Sequence, residues 1–332
     1  MKHFILITLC IFLMPAAIRA EENQTKKLAY IVSDTRIPFW DIMKRGVQRG
    51  AMAKGYAVSV YSAANNRKNE LEFVAKAMRD RVDGIIISPT SSSACATILK
   101  LADKAGIPVV ISDIGTDGGD YVSYISCDNY DGAYKIGQVL GRKMASLGWE
   151  KGSVGIVAIP QKRLNGQART AGFMKAMDEA GIKGAGIKQQ STWTEEETYT
   201  FSIEMIQQNS NLRAIWLQGS DRYNGALRAI ADTGKSGEIL LLTFDAEPEF
   251  IDMIQNDVIL GAAMQQPYLM GQEAVRVLDE HLGGKEVSKN IMIPIMAISK
   301  ENISEKILLI RKNVLGMEDK EGGKGNVKKV PE

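Results

Sequence analysis

Three aromatic residues and a small set of carboxylate, amide and guanidinium groups are the side chains here whose types and spacing suggest chemistry. Phe39 and Trp40 stand together at the end of the stretch from Leu28 to Trp40, and Trp193 lies far along the chain. Adjacent large aromatics make a platform for a flat or ring-shaped small molecule; the competing reading is that they anchor a helix to the core. One of the two is expected to do so. Asp113 and Asp245 each follow an apolar run, at the carboxyl end of a predicted strand. Gln167, Arg169, Asp221 and Gln265 fall in loops or first helical turns at the same edge, and Trp193 stands at the start of another helix. A carboxylate accepts two hydroxyl hydrogen bonds, an amide or guanidinium supplies donors, and an aromatic face covers the C–H side of a sugar ring. Singly, each polar residue reads as a helix cap or a solvated loop residue. Together at one edge they describe a polar small-molecule cleft.

Catalysis finds little support. Past the first twenty residues the only histidine is His281, late in a predicted surface helix. A zinc site or a Ser-His-Asp triad cannot be assembled from it. Neither a G-x-G-x-x-G turn nor a Walker loop follows the first strand, which meets Ser33-Asp-Thr-Arg36 instead. Asp128-Asn-Tyr-Asp131-Gly132 has the wrong alternation for a calcium loop and fits a helix cap. No cofactor and no metal are called for.

The elements that must hold these residues read clearly. Lys2, the apolar run Phe4 to Met14 and a small residue at Ala20 form a cleavable export signal over residues 1–20, too short to span a bilayer. Removing Lys2 and Arg19 brings the 41 basic residues level with the 39 acidic ones, which gives no reason to expect a nucleic-acid partner. Cys95 and Cys127 then remain, too few to staple a chain of this length; they are read as buried free thiols, with a disulfide between them as the alternative in an oxidising compartment. Leu28 to Val32 is a buried strand, and Pro38 suits the first position of the helix after it. Strand–helix units recur to about Ser126 and then begin again, ending in one last strand over Ile291 to Ile298. The fold class is α/β, with parallel sheets covered by helices on both faces. There are too many units for one domain, so two similar lobes are expected. The charged, glycine-containing stretch 317–332 reads as a disordered tail.

Several stretches in order carry a family resemblance: Ile37-Pro-Phe-Trp40, Val82-Asp-Gly-Ile-Ile-Ile-Ser-Pro89, Ala105-Gly-Ile-Pro-Val-Val110, Asp128-Asn129, Gly225-Ala-Leu-Arg-Ala229, Thr243-Phe-Asp245 and Gln265-Gln-Pro267. The chain resembles the periplasmic binding proteins of the ribose-binding type (type I) over nearly all of the sequence after the signal. The resemblance implies two Rossmann-like lobes joined by three crossings and closing on ligand as a hinged trap. It puts 25–126 with 266–296 in an N-terminal lobe and 127–265 with 297–316 in a C-terminal lobe. It implies that Phe39, Trp40 and Trp193 stack on the ligand ring and that Asp113, Asp245 and Gln265 bind its hydroxyls. Four family contacts are changed, to Ile37, Ile114, Gln167 and Gly219. Those losses point away from a pentose and toward a less hydroxylated or larger ligand. Arg36, Asp221, Arg222 and Asn224 stand as replacements. The implied function is a periplasmic solute-binding protein that delivers a sugar or sugar-like molecule to the membrane permease of an ABC transporter. The alternative partner is a sensor histidine kinase or chemoreceptor.

Overall fold

The computed structural model describes residues 25–317. The predicted signal and residues 318–332 of the predicted tail lie outside the described residues. Met317 does not: its amide donates to the carbonyl of Arg311.

The first lobe alternates strand and helix: β1 (Lys27–Val32), α1 (Pro38–Ala53), β2 (Ala57–Ser62), α2 (Arg67–Arg79), β3 (Gly84–Ser88), α3 (Ser92–Lys104), β4 (Val109–Ser112) and β5 (Ser123–Cys127). The second lobe starts afresh with α4 (Asn129–Ser146), β6 (Ser153–Ala158), α5 (Leu164–Glu179), β7 (Lys183–Gln189) and α6 (Glu195–Gln208). It continues through β8 (Leu212–Leu217), α7 (Tyr223–Asp232), β9 (Leu240–Phe244), α8 (Phe250–Gln255) and β10 (Gly261–Met264). The chain then returns to the first lobe for α9 (Pro267–Leu282) and β11 (Asn290–Ile293). It crosses once more into β12 (Met296–Ser299), α10 (Ile303–Leu309) and a π-helical turn at Ile310–Val314.

The two sheets share one topology. Their orders are β11-β5-β4-β3-β1-β2 and β12-β10-β9-β8-β6-β7, so β4 in one lobe corresponds to β9 in the other, and β1 to β6. Pairing is parallel except between β10 and β12, which run antiparallel. The single last strand expected over Ile291 to Ile298 is two strands in two different sheets. Pro294 lies at the break, lacking the N–H that would continue a ladder. The helical segment after β12 had no counterpart in the sequence reading.

Each sheet is buried on both faces. Ile85, Ile86 and Ile87 on β3 and Ala214, Ile215 and Trp216 on β8 are fully covered, as continuous apolar runs in parallel sheets must be. Helix α1 packs on α9 with almost no spacing, because Gly46 and Gly271 face each other's backbone. A Cβ at Gly271 would collide with the carbonyl oxygen of Met43. Three crossings join the lobes, at Cys127–Asp128, Gln265–Gln266 and Pro294–Ile295. Gln266 ties two of them, donating from its amide to the carbonyl of Pro294 at 2.8 Å. Its Oε1 accepts from Asn313 at 2.9 Å, and Arg45 of α1 donates to the carbonyls of Leu315 and Gly316. The segment 310–316, expected wholly in the second lobe, thus also fastens to the first. Both Cys95 and Cys127 are free; Cys95 is buried and Cys127 partly so.

Gly271→Ala is expected to lower stability by about 1–3 kcal/mol through overpacking of the α1–α9 contact. A thermal melt coincident with that of the parent protein would show that the contact relaxes freely.

Candidate ligand-binding site

The carboxyl ends of both sheets face one slot between the lobes. In an open α/β sheet, loops diverge at the strand-order reversal, leaving a crevice for ligand. Here the reversals fall beside β1 in one lobe and β6 in the other. The first lobe supplies Ile37, Phe39, Trp40 and Asp113. The second lobe contributes Arg163, Asn165 and Arg169 from around the start of α5, Trp193 from before α6, and Gln218, Gly219, Asp221 and Arg222 from after β8. Asp245 and Gln265 complete the floor near the hinge. The slot is narrow: its space, open solvent included, is no more than about 430 Å³.

Asp113 and Asp245 occupy corresponding positions. Each follows the last residue or two of its strand and donates its backbone N–H to the neighbouring strand, Asp113 to Ile125 and Asp245 to Ala263. Each has left-handed backbone, with φ of 71° and 67°, a conformation that Asp tolerates better than most residues. That twist turns each carboxylate off its sheet and into the slot. Asp113 accepts from the indole N–H of Trp40 at 3.1 Å. Burial pushes its pKa up to about 6, against the opposing pull of Arg169 and the Trp40 bond. Asp245 is also raised by burial, with Arg169 pulling the other way. Its Oδ1 accepts from Gln265 at 2.7 Å.

The two adjacent aromatics divide their work. Trp40 is 5 % exposed and belongs to the core of the first lobe. Phe39 is half-buried and meets it edge-to-face at 6.2 Å. Trp193, also left-handed at φ 58°, is held by Glu197. That carboxylate accepts the backbone N–H groups of Ser191, Thr192 and Trp193. The Thr194 hydroxyl in turn accepts from the Glu197 amide at 3.1 Å, capping the N-terminus of α6. Burial alone would raise the Glu197 pKa, but these bonds bring it below its usual value. The guanidiniums of Arg163 and Arg222 lie over the Trp193 ring, at 5.3 and 4.8 Å from its centroid.

Arg169 is a strut. It is 4 % exposed, stacks on Phe244 at 3.7 Å, donates to Asn129 and to the carbonyl of Gln218, and sits 3.7 Å from Asp245. Gln167 does not reach the slot: it is exposed, and its amide donates to the carbonyl of Gln161. Asn165 and Arg169 stand four apart on one face of α5, so a residue two past Asn165 must lie on the other side. Of the four replacements weighed from sequence, Arg36 is out in solvent on Asp34 and Asn224 is exposed. Asp221 and Arg222 line the slot and pair with each other.

Sequence reasoning missed Ile159, Arg163, Asn165 and Gln218. The signal for Arg163 was present: it precedes α5, the helix after β6, as Ile37 precedes α1, the helix after the corresponding strand β1. Two buried atoms have no hydrogen-bond partner in the slot, Nε of Arg222 and Oε1 of Gln265. An unpaired buried polar atom is costly. These two are a donor and an acceptor left for a guest.

Removing Arg169 leaves Asp245 buried without its cation. Arg169→Ala is expected to cost about 3–5 kcal/mol, read in urea from the fluorescence of Trp216, which is buried against Phe173. An unmoved transition would mean that the strut assignment is wrong.

Residues 28–286 match the family model described as periplasmic binding protein domain. The ribose import binding protein RbsB of Bacillus subtilis (strain 168) is 27 % identical over 301 residues, covering 87 % of this chain and 93 % of that protein. Among solved structures, a solute-binding protein from Actinobacillus succinogenes with bound D-allose superposes with a TM-score of 0.79. It shares 22 % identity and covers 85 % of this chain and all of the other. One from Agrobacterium radiobacter in complex with D-arabinose gives 0.79 at 21 % identity, over 88 % and 99 % of the two chains. With the family model covering most of its length, this chain belongs to the periplasmic binding protein domain family.

Proposed function

We propose that the protein is an exported receptor that captures a sugar or sugar-like polar molecule between its lobes and delivers it to the permease of an ABC transporter. The observation that carries this reading is the pairing of Asp113 and Asp245, one buried and one partly buried carboxylate at corresponding strand ends of opposite lobes, in one slot walled by aromatic rings. A sugar ring has the complementary surface, with hydroxyls at its edge and C–H groups on its faces. The relatives point the same way: one is named for ribose import, and two structural neighbours hold D-allose and D-arabinose. Nothing in the slot is arranged to move a proton or attack a bond, so the guest leaves as it came.

Capture follows from the division of contacts. Phe39, Trp40 and Asp113 belong to one lobe, and Arg222 and Trp193 to the other. A guest in the open form meets one set; in the closed form it meets both. Only that difference in affinity shifts the hinge equilibrium. The closed shape is then what a permease recognises.

Trp193→Ala is expected to weaken sugar binding at least tenfold, since one buried stacked ring is worth about 1.4 kcal/mol or more. Calorimetry returning the parent affinity would refute the assignment of that ring. A pH series tests Asp113. Its raised pKa means that protonation is favoured by folding, so the empty protein gains stability from this group as pH falls through 6. Hydroxyl binding needs the ionised form, so affinity should decline between pH 7.5 and 5. In Asp113→Asn the part of that decline centred near pH 6 should be absent. A pH profile identical to the parent's would exclude Asp113 as the titrating group.

A further inference from the structure

The slot opens outward into a larger cleft between the loops that top the two sheets. Its walls come from the starts of α2 and α3 on one side, and from the loops before α5 and α6 on the other. The charges on this mouth are lopsided. Arg67, Lys162 and Arg163 face one acid, Asp117. Neighbouring acids are already occupied: Glu70 accepts from the amide and hydroxyl of Thr90, Glu197 holds the loop before α6, and Asp34 binds Arg36. Ser92 and Ser93 open α3 at the same mouth, where a helix presents free N–H groups.

Arg163 stands where the two spaces meet, lining both. Its apolar stem and guanidinium are partly buried against Trp193. Among the described residues its guanidinium makes no hydrogen bond and no ion pair, whereas Arg169 and Arg222 are each paired with a carboxylate. The carboxylate of Asp113 acts on it only through space, so the donors of this partly buried cation are left for a group of opposite charge. On the inner side Asp221 and Asp245 are balanced by Arg222 and Arg169, which leaves Asp113 as the unbalanced acid of the slot, so an anion is kept out of the slot and held at the mouth. Geometry therefore orients a two-part guest, with hydroxyls inside and negative charge outside.

Building on the sugar-binding reading above, we propose that the mouth is a second subsite. The ligand is then a sugar bearing an anionic group, carboxylate or phosphate, received by Arg163 with Lys162 and Arg67 beside it. A planar guanidinium matches both groups in a two-point hydrogen bond.

The test is calorimetry of the purified protein with matched sets: D-ribose against D-ribose 5-phosphate, and D-glucose and D-galactose against their 6-phosphates and uronates. The expected result is a charged member binding at least tenfold more tightly than its neutral parent, with a preference that shrinks as salt is raised. Arg163→Gln should reduce that preference at least fivefold, and Arg163→Lys should restore part of it. The double change Arg67→Gln with Lys162→Gln should reduce it about threefold and leave the neutral parent's affinity within twofold. A preference for phosphates alone or for uronates alone identifies the group. Neutral sugars binding as tightly as their charged counterparts would overturn the subsite and leave sugar capture standing, as would a preference untouched by Arg163→Gln. If no member of any set binds, sugar capture fails and the subsite fails with it.

Discussion

Two carboxylates taken out of water and set on left-handed backbone are the constraint on which the arrangement depends. Left-handed φ for a residue other than glycine costs about 1–3 kcal/mol where the surroundings impose it. Burying a carboxylate adds a desolvation penalty that moves its pKa upward. Asp113 and Asp245 carry both costs, and each is held in place by groups with few alternatives. Trp40 can give its indole N–H to Asp113 only because Pro38 starts α1 where it does. Arg169 can lie beside Asp245 only because it is wedged between Phe244, Asn129 and the carbonyl of Gln218. Such a site is shaped before the ligand arrives, which limits what binding must spend on ordering side chains.

The lobes repeat each other closely enough that their differences stand out. Asn65 and Trp193 occupy corresponding turns, after β2 and β7, and both have left-handed backbone, at φ 56° and 58°. One is a small amide that binds Ser33 and Asp34; the other is a ring projecting over the slot. Ile37 and Arg163 likewise hold the position before the helix that follows β1 and β6, one apolar and one cationic. The first lobe thus offers an aromatic wall and a single acid, while the second carries the guanidiniums. At Gly219 the missing side chain leaves room that Arg222 and Asp221 approach, with Nη2 of Arg222 3.4 Å from where a Cβ would stand.

How much of this could be read from the chain alone follows from the range of the forces involved. Buried parallel strands are apolar runs bounded by turn residues, and helix starts are marked by Pro38, Ser91 and Thr194; those signals are local, and the strand–helix rhythm was legible. The aspartates were legible too, because a strand end is a place that sequence can name. Gln167 was misplaced because α5 begins at Leu164 and the helical face that turns inward is fixed by packing on α4 through Gly172 and Tyr130. The stretch 291–298 was read as one strand because its composition is uniform, whereas Pro294 divides it between sheets whose partners are distant in sequence. Arg222 could be named only as one of four replacements, because an arginine beside an aspartate in a loop is ordinarily a solvated pair. Its role depends on the absence of a side chain at Gly219.

Closure and specificity meet in the atoms that the protein leaves unpaired. Nε of Arg222 belongs to the second lobe, and Oε1 of Gln265 lies next to the hinge crossing that Gln266 fixes to Pro294. Asp113 on the first lobe lines the slot with one oxygen committed to Trp40. A guest that reaches Arg222 and Asp113 at once spans the lobes and stabilises the closed form. One that reaches only the second lobe gains the same contacts open or closed, and so shifts nothing however tightly it binds. Selectivity in such a trap is therefore decided by the separation between a ligand's acceptor and its donor hydroxyl, matched against two groups on independently moving sheets. The fold fixes that separation in the closed form through three short crossings, and a guest of the wrong length leaves one buried polar atom unsatisfied. The resulting penalty, about 1–3 kcal/mol for each such atom, discriminates among similar sugars more sharply than a missing apolar contact would.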